Sequence, residues 1–448
     1  MLCNDKLDDR KHDLDKEGCM NDQELGFNIE QLGECLFPSP MKDGRFTGNG
    51  ERLLYHSSYE ELQPFIAAGV EPPALELAGP RERIFFDPAA IACGIVTCGG
   101  LCPGTNDVIR AVTLSLYHHY GVRRIYGFRY GYEGLIKRFS HTPLVLNPEA
   151  VNKISDMGGT ILASSRGPQD PAEMLDYLEE LGIGILFAIG GDGTLKGAGK
   201  IAEEAARRGR AISVIGIPKT IDNDISFIQS TFGFETAVAE AHRAIYAAHA
   251  EATGARNGIG LVKLMGRDSG YIAAYSTLVD SQVNFCLVPE VAFTLNGFLR
   301  NLEERLSLRG HAVIVAAEGA GQKLLAATAE HDASGNARLG DIGTYLRDVI
   351  REHFATAGVE INLKYIDPSY IIRSQPANPY DSALCLLLGH NAVHAGMSGR
   401  TNMVVGVWNH QYTHVPIALA TRQRKKIDPE GWLWNSVLAS TGQPRELL

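Results

Sequence analysis

Apolar runs that end in glycine turns set what this chain can fold into. The clearest is Gly184-Ile185-Leu186-Phe187-Ala188-Ile189, followed at once by Gly190-Gly191-Asp192-Gly193-Thr194. Such a run, with no polar face, reads as a strand covered on both sides, as in parallel sheets packed under helices. A second strand, residues 212–217, leads into Pro218-Lys219-Thr220-Ile221-Asp222-Asn223-Asp224. A third, residues 91–97, turns through Cys98-Gly99-Gly100-Leu101-Cys102-Pro103-Gly104 into a helix expected over 106–120. With a strand at 124–128 and a helix from Thr194, strands alternate with helices of about 10–15 residues, the pattern of an α/β fold with doubly wound parallel sheets. Ligands of such sheets gather at the carboxyl ends of strands, so the three turns can converge on one cleft.

A second, smaller α/β unit follows a helix expected over 231–252, with strands at 258–264, 285–288, 312–316 and 361–365. The helix at 379–395 and the strand at 402–408 return to the first unit. Two doubly wound domains with a site in the cleft between them are therefore expected: 91–230 together with about 375–425, and 231–374. Residues 1–90 are polar and punctuated by proline, as in Phe37-Pro38-Ser39-Pro40, and read as an arm on the body whose first twenty or so residues are mobile. Residues 426–448 form a C-terminal segment.

Composition narrows the function classes. A net charge of −10 argues against general nucleic-acid binding, which needs a basic face, and still allows a local basic pocket for phosphates. No apolar stretch approaches the roughly 20 residues that cross a bilayer, and the charged N-terminus lacks the apolar centre of a signal peptide, so a cytoplasmic location is expected. The eight cysteines form no disulfide framework; Cys93, Cys98 and Cys102 crowd along one strand and its loop, where buried or loop thiols are expected rather than zinc ligands. His390 and His394 share a helix face without the glutamate of a zinc motif and read as ordinary helix residues.

Glycine after a strand lets backbone N–H groups approach phosphate oxygens that a Cβ would hold off. An unpaired carboxylate in such a turn would repel phosphate, and Mg²⁺ between Asp192 and the phosphates removes the conflict. GGDGT alone fits several kinase families and gives the reaction class, not the acceptor. Asp222 is the candidate base for a sugar hydroxyl, with Asp224 as a structural or metal-tuning neighbour and Lys219 neutralising charge beside them. Alone, TIDND reads as a capped turn in which both Asp side chains bind local amides; one strand after GGDGT, it reads as catalytic.

The ordered series is longer still. The Cys98-Gly99-Gly100 turn with Pro103-Gly104-Thr105-Asn106, GGDGT, PKTIDND, Met265-Gly266-Arg267-Asp268-Ser269-Gly270 and Tyr370-Ile371-Ile372-Arg373 resembles the 6-phosphofructokinase family from about residue 91 onward. The resemblance implies transfer of a phosphoryl group from Mg²⁺–ATP to the 1-hydroxyl of fructose 6-phosphate, a step of glycolysis. It makes Asp222 the base, with Arg267 and Thr220 also catalytic, and Asp192 the metal contact. Gly100, Arg166, Gly167, Gly190, Gly191, Asp192, Gly193 and Thr194 would form the donor site. Thr220, Ile221, Asp222, Met265, Gly266, Arg267 and Glu318 would contact the sugar phosphate, and Lys364, Tyr370 and Arg373 its 6-phosphate. It also implies an allosteric homo-oligomer, a tetramer by preference, although Arg256 stands about two residues out of register with the arginine that crosses between subunits in many bacterial members.

Two positions bear on the donor. Pyrophosphate-using members typically carry Asp at the position of Gly193 and Lys at that of Lys219; bacterial ATP-using members commonly carry Gly at both. An Asp side chain at 193 would crowd and repel the α-phosphate of ATP, so glycine favours ATP, while Lys219 suits either donor. The mixed pattern resembles the ATP-dependent branch of plants and trypanosomatids. A pyrophosphate-dependent enzyme is the alternative reading. A non-catalytic sugar-phosphate sensor is disfavoured by the presence of Asp192, Asp222 and Arg267 together.

Overall fold

The computed structural model describes residues 26–42, 44–325 and 338–447. The mobility expected for the first twenty residues lies outside them. The apolar runs become strands: Ala92–Thr97, Ile183–Gly190 and Ser213–Pro218 bury every residue. They lie side by side and parallel at the centre of a nine-stranded sheet, flanked in the same sense by Arg124–Phe128 and Met403–Trp408. Both rims turn antiparallel. Leu144–Val145 closes one, and Gln411–Pro416, Ala74–Leu77 and Arg52–Leu54 extend the other. The large sheet is thus parallel only at its centre, and Arg52–Leu54 and Ala74–Leu77 are strands of it rather than an arm laid on its surface.

The second sheet is wholly parallel, in the order Phe285–Leu287, His311–Ala317, Gly258–Leu264, Asn362–Ile366. The helix Phe234–Thr253 covers it with a buried face of Ala237, Ala241, Ile245, Ala248 and Ala252. Small residues there let strand and helix approach closely: a Cβ on Gly260 would lie 2.7 Å from the Ala248 carbonyl oxygen. The first glycine loop feeds the helix Thr105–Leu114, which widens into a π-helical turn over Ser115–Tyr120 instead of staying α-helical to its end. The C-terminal helix Trp432–Thr441 packs on Tyr271–Val279 and buries Trp434. Among the described residues no helix is long and apolar enough to cross a membrane.

A buried charge cluster fastens the N-terminal rim. Glu76 Oε1 accepts from Arg81 Nη2 at 3.0 Å, from His414 Nδ1 at 3.0 Å and from Arg400 Nε. Burial alone would raise the Glu76 carboxyl, but the bonds from His414 and Arg400 outweigh it and bring it down to about 2. Because the folded-state value is depressed, this stabilisation is present above the ordinary carboxylate range and is lost as pH falls toward 2. Glu76→Gln leaves two nearly buried guanidinium groups without their shared anion and is expected to destabilise the protein by about 3–5 kcal/mol. Chemical denaturation at neutral pH measures this, and the deficit should shrink as pH is lowered.

Candidate active site

Three central strands end level with one another. Pro218 pairs with Gly190, and Ile189 with Thr97. The following loops therefore start abreast, with Lys219 N–H donating to Gly190 O and Cys98 N–H to Ile189 O, each at 3.0 Å. The smaller sheet turns its own carboxyl ends to the same cleft. Met265 and Arg267 follow Gly258–Leu264, Glu318 follows His311–Ala317, and Asp367 follows Asn362–Ile366. The cleft between them holds about 880 Å³.

One wall suits phosphates. The helix Asp192–Arg207 opens from Gly191 with no side chain capping its first N–H groups, so its positive end faces the cleft. Only glycine lets this turn close at residue 190, where a Cβ would fall 2.2 Å from Thr194 Oγ1. Tyr132 OH fixes the turn by donating to Thr194 O at 2.5 Å. Arg166 Nη2 and Arg373 Nη1 come within 3.5 and 3.8 Å of the point a Gly100 Cβ would occupy. Lys219 donates to Gly100 O at 2.6 Å, and burial pulls its pKa down.

The other wall holds carboxylates. Asp222 Oδ1 is sealed from solvent and has no hydrogen-bond partner among the described residues. Burial, with Asp224 and Glu318 close by, pushes the Asp222 carboxyl well above the ordinary carboxylate range. Asp224 differs: it accepts from Thr220 Oγ1 at 3.0 Å and from Arg424 Nη1. The two aspartates of TIDND are thus divided: Asp224 is held by local bonds, whereas Asp222 lines the cleft with one buried oxygen left unpaired. Glu318 is also raised by burial, opposed chiefly by Arg267.

Asp192 fits a hard divalent cation. It is a carboxylate with a side-chain exposure of 20%, paired with Lys196 at 3.0 Å and standing 3.8 Å from Arg424 Nη2. Magnesium commonly takes one or two protein carboxylates and completes its shell with substrate phosphates and water.

Of the residues expected in the site, Gly100, Arg166, Gly167, Gly191, Asp192, Gly193, Thr194, Lys219, Thr220, Ile221, Asp222, Met265, Arg267, Glu318, Tyr370 and Arg373 line this cleft. Gly190 and Gly266 shape its turns from behind. Lys364 does not line it. Its strand pairs with Gly258–Leu264 so that Lys364 stands opposite Gly260, and its side chain is exposed. The cleft cation from this sheet is Lys263, three residues nearer the carboxyl edge, roughly 10 Å along the strand. Lys196, Lys200 and Arg424 also line the cleft and carry no motif of their own.

The phosphofructokinase family profile matches residues 92–396. The chain belongs to this family. An ATP-dependent 6-phosphofructokinase of Borreliella burgdorferi is 48% identical over 95% of the chain and 98% of its own length. One from Trypanosoma cruzi is 48% identical over 91% of the chain and 86% of its own length. A chloroplastic enzyme so named from Arabidopsis thaliana is 46% identical over 82% of the chain and 68% of its own length. The fold is similar to a solved pyrophosphate-dependent phosphofructokinase from Marinobacter aquaeolei, with TM-score 0.65 and 20% identity over 78% of the chain and 91% of that structure.

Within this phosphofructokinase fold Cys98 and Cys102 border the cleft, whereas His394 lies in the core. Cys98 and Cys102 are buried free thiols, both pushed up to about 12 by burial. His394 is buried and bonded to Tyr120 OH at 2.9 Å, and burial pushes its imidazole down to about 3. Among the described residues no group of three or more His, Cys, Asp or Glu side chains forms a cation cage.

Proposed function

We propose that this chain transfers the γ-phosphoryl group of ATP to the 1-hydroxyl of fructose 6-phosphate, with Asp222 as the general base. The observation that carries the reading is that Asp222, with a buried unpaired oxygen, lines the same cleft as the uncapped helix N-terminus at Asp192. Asp222 takes the hydroxyl proton as the oxygen attacks the γ-phosphorus and the bond from that phosphorus to the β–γ bridging oxygen breaks, releasing ADP, and Thr220 and Arg267 complete the acceptor side. Arg166, Lys196 and the N–H groups of the Gly190–Thr194 turn bind the donor phosphates. Asp192 holds the Mg²⁺ that accompanies ATP, which neutralises phosphate charge. Arg373 and Tyr370, with Lys263 nearby, suit the dianionic 6-phosphate, and Glu318 and Met265 the sugar.

The domain roles follow: the nine-stranded sheet serves the nucleotide and the four-stranded sheet the sugar phosphate. A cytoplasmic location and a homotetramer are part of the same proposal. Arg256 is exposed and does not line the cleft of its own chain, so any role at the phosphate belongs to a neighbouring subunit.

Purified protein assayed with ATP and with pyrophosphate, against fructose 6-phosphate and sedoheptulose 7-phosphate, tests donor and acceptor together. Fructose 6-phosphate with ATP should be preferred, with kcat/KM for pyrophosphate lower by about a hundredfold or more. Comparable turnover on pyrophosphate would overturn the donor assignment.

A further inference from the structure

The segment after the short helix Ile417–Ala420 is pinned across the rim of the cleft. Ser226 Oγ donates to Gln423 O at 2.8 Å, and Lys425 N–H to Asp224 O at 2.8 Å. Lys425 Nζ donates to Ile228 O and Gln229 O at 2.9 and 3.1 Å. Tyr271 OH donates to Lys426 O at 2.8 Å, and Ile427 N–H to Glu290 Oε1 at 2.9 Å. The same Glu290 oxygen accepts from Gly270 N–H at 2.9 Å, at the end of the MGRDSG loop. Residues 423–427 are therefore stitched to the TIDND loop on one side and to the MGRDSG loop on the other.

This stitching delivers one side chain, Arg424, into the cleft. Its Nη1 donates to Asp224 Oδ2, its Nε lies 3.3 Å from Asp268 Oδ2, and its Nη2 lies 3.8 Å from Asp192 Oδ2. The three carboxylates come from three separate loops: the donor turn, the acceptor loop and the loop that carries Arg267. A guanidinium has donors fanned in one plane and can serve all three; an ammonium is a single point. We infer that Arg424 is a positioning residue for phosphoryl transfer, setting the distance between the donor carboxylate Asp192 and the acceptor loop that carries Asp222.

The physical reason is charge and geometry together. Asp192, Asp222, Asp224 and Asp268 lie close enough to repel, and Arg424 ties three of them to one point before any ligand enters. In-line transfer tolerates little error in the placement of donor and acceptor, and a displacement of about 1 Å costs on the order of a hundredfold in rate. Were Asp192 to take up the cation that accompanies ATP, Arg424 would still hold Asp224 beside Asp268, so the acceptor loop would stay fixed against the loop that carries Arg267.

The inference rests on the roles proposed above for Asp192 and Asp222, and the test separates the two. Arg424→Gln, Arg424→Lys and Asp222→Asn are compared by steady-state kinetics, thermal unfolding and calorimetric binding of fructose 6-phosphate and of the magnesium complex of a non-hydrolysable ATP analogue. Arg424→Gln should lower kcat on the order of a hundredfold, while both ligands bind within about threefold of the parent affinity. Arg424→Lys should recover part of that loss, because it restores the charge and not the three-way span. Unchanged kcat in Arg424→Gln, with Asp222→Asn inactive, overturns the role of Arg424 alone. A fall in kcat accompanied by equal loss of binding and a lowered melting temperature also overturns it, since that pattern marks a purely structural residue. Full activity in Asp222→Asn sinks the reading of Asp222 instead.

Discussion

Asp222→Asn is expected to lower kcat by about 10³-fold, within the range spanned by general bases, and to leave KM for both substrates within a few-fold. Asparagine keeps the shape of the side chain, and its amide cannot take a proton at neutral pH. The loop should survive the change, because the bonds that hold it come from Thr220, Asn223, Asp224 and Thr231 rather than from the Asp222 carboxylate. The parent enzyme carries a matching pH signature. Burial first, then the neighbouring Asp224 and Glu318, raise the Asp222 carboxyl, and a base works only when deprotonated. The rate should therefore fall as pH drops through a value above the ordinary aspartate pKa of about 4, and the proton lost on ionisation is the one the substrate hydroxyl later replaces. Stability runs the opposite way: a carboxyl raised by folding binds more protons in the native state, so its ionisation costs stability as pH rises through the raised value. Asp222→Asn should hence melt no lower than the parent at pH 7. A lower melting temperature together with lost activity would mean the residue is structural.

Much of this site was legible because its signals are local. The run at 184–189 could only be a strand covered on both faces, and GGDGT could only follow its carboxyl end. The observed strand, Ile183–Gly190, adds one residue at each end. Adjacency was not local, yet the loops after Thr97, Gly190 and Pro218 converge because their strands are neighbours in the parallel centre of one sheet. What stayed hidden depends on register or on distant chain. Lys364 and Lys263 are both lysines near strand ends; only the pairing of Lys364 with Gly260 shows which one reaches the cleft. Arg424 lies in Thr421-Arg422-Gln423-Arg424-Lys425-Lys426, a basic run that reads as solvated surface, and meets Asp224 across 200 positions of sequence. The rim strands Arg52–Leu54 and Ala74–Leu77 are short and only partly buried, so no alternation marked them. Their anchor is Glu76, whose partners Arg400 and His414 come from the far end of the chain.

Gly193→Asp should reduce kcat/KM for ATP by about two orders of magnitude with little change in the KM for fructose 6-phosphate. The structure separates this effect from misfolding. A Cβ at 193 would meet nothing within 4 Å, and the position lies in the first turn of the helix Asp192–Arg207. An acidic residue in that turn is favourable to the helix by about 0.3–1 kcal/mol, so the melting temperature should hold or rise. Gly193 itself lines the cleft, beside Asp192 and Thr194. A new carboxylate roughly 5 Å from a donor phosphate oxygen, at an effective dielectric near 20, costs about 3 kcal/mol, or roughly two decades in binding. Pyrophosphate is shorter and has no nucleoside to place beyond its second phosphate, so its use should fall less than that of ATP. The ratio of kcat/KM values for the two donors is thus the sharpest readout. If ATP kinetics were unchanged in Gly193→Asp, the empty volume at this turn would not be where the donor lies, and donor choice would have to come from the Lys219 side of the cleft.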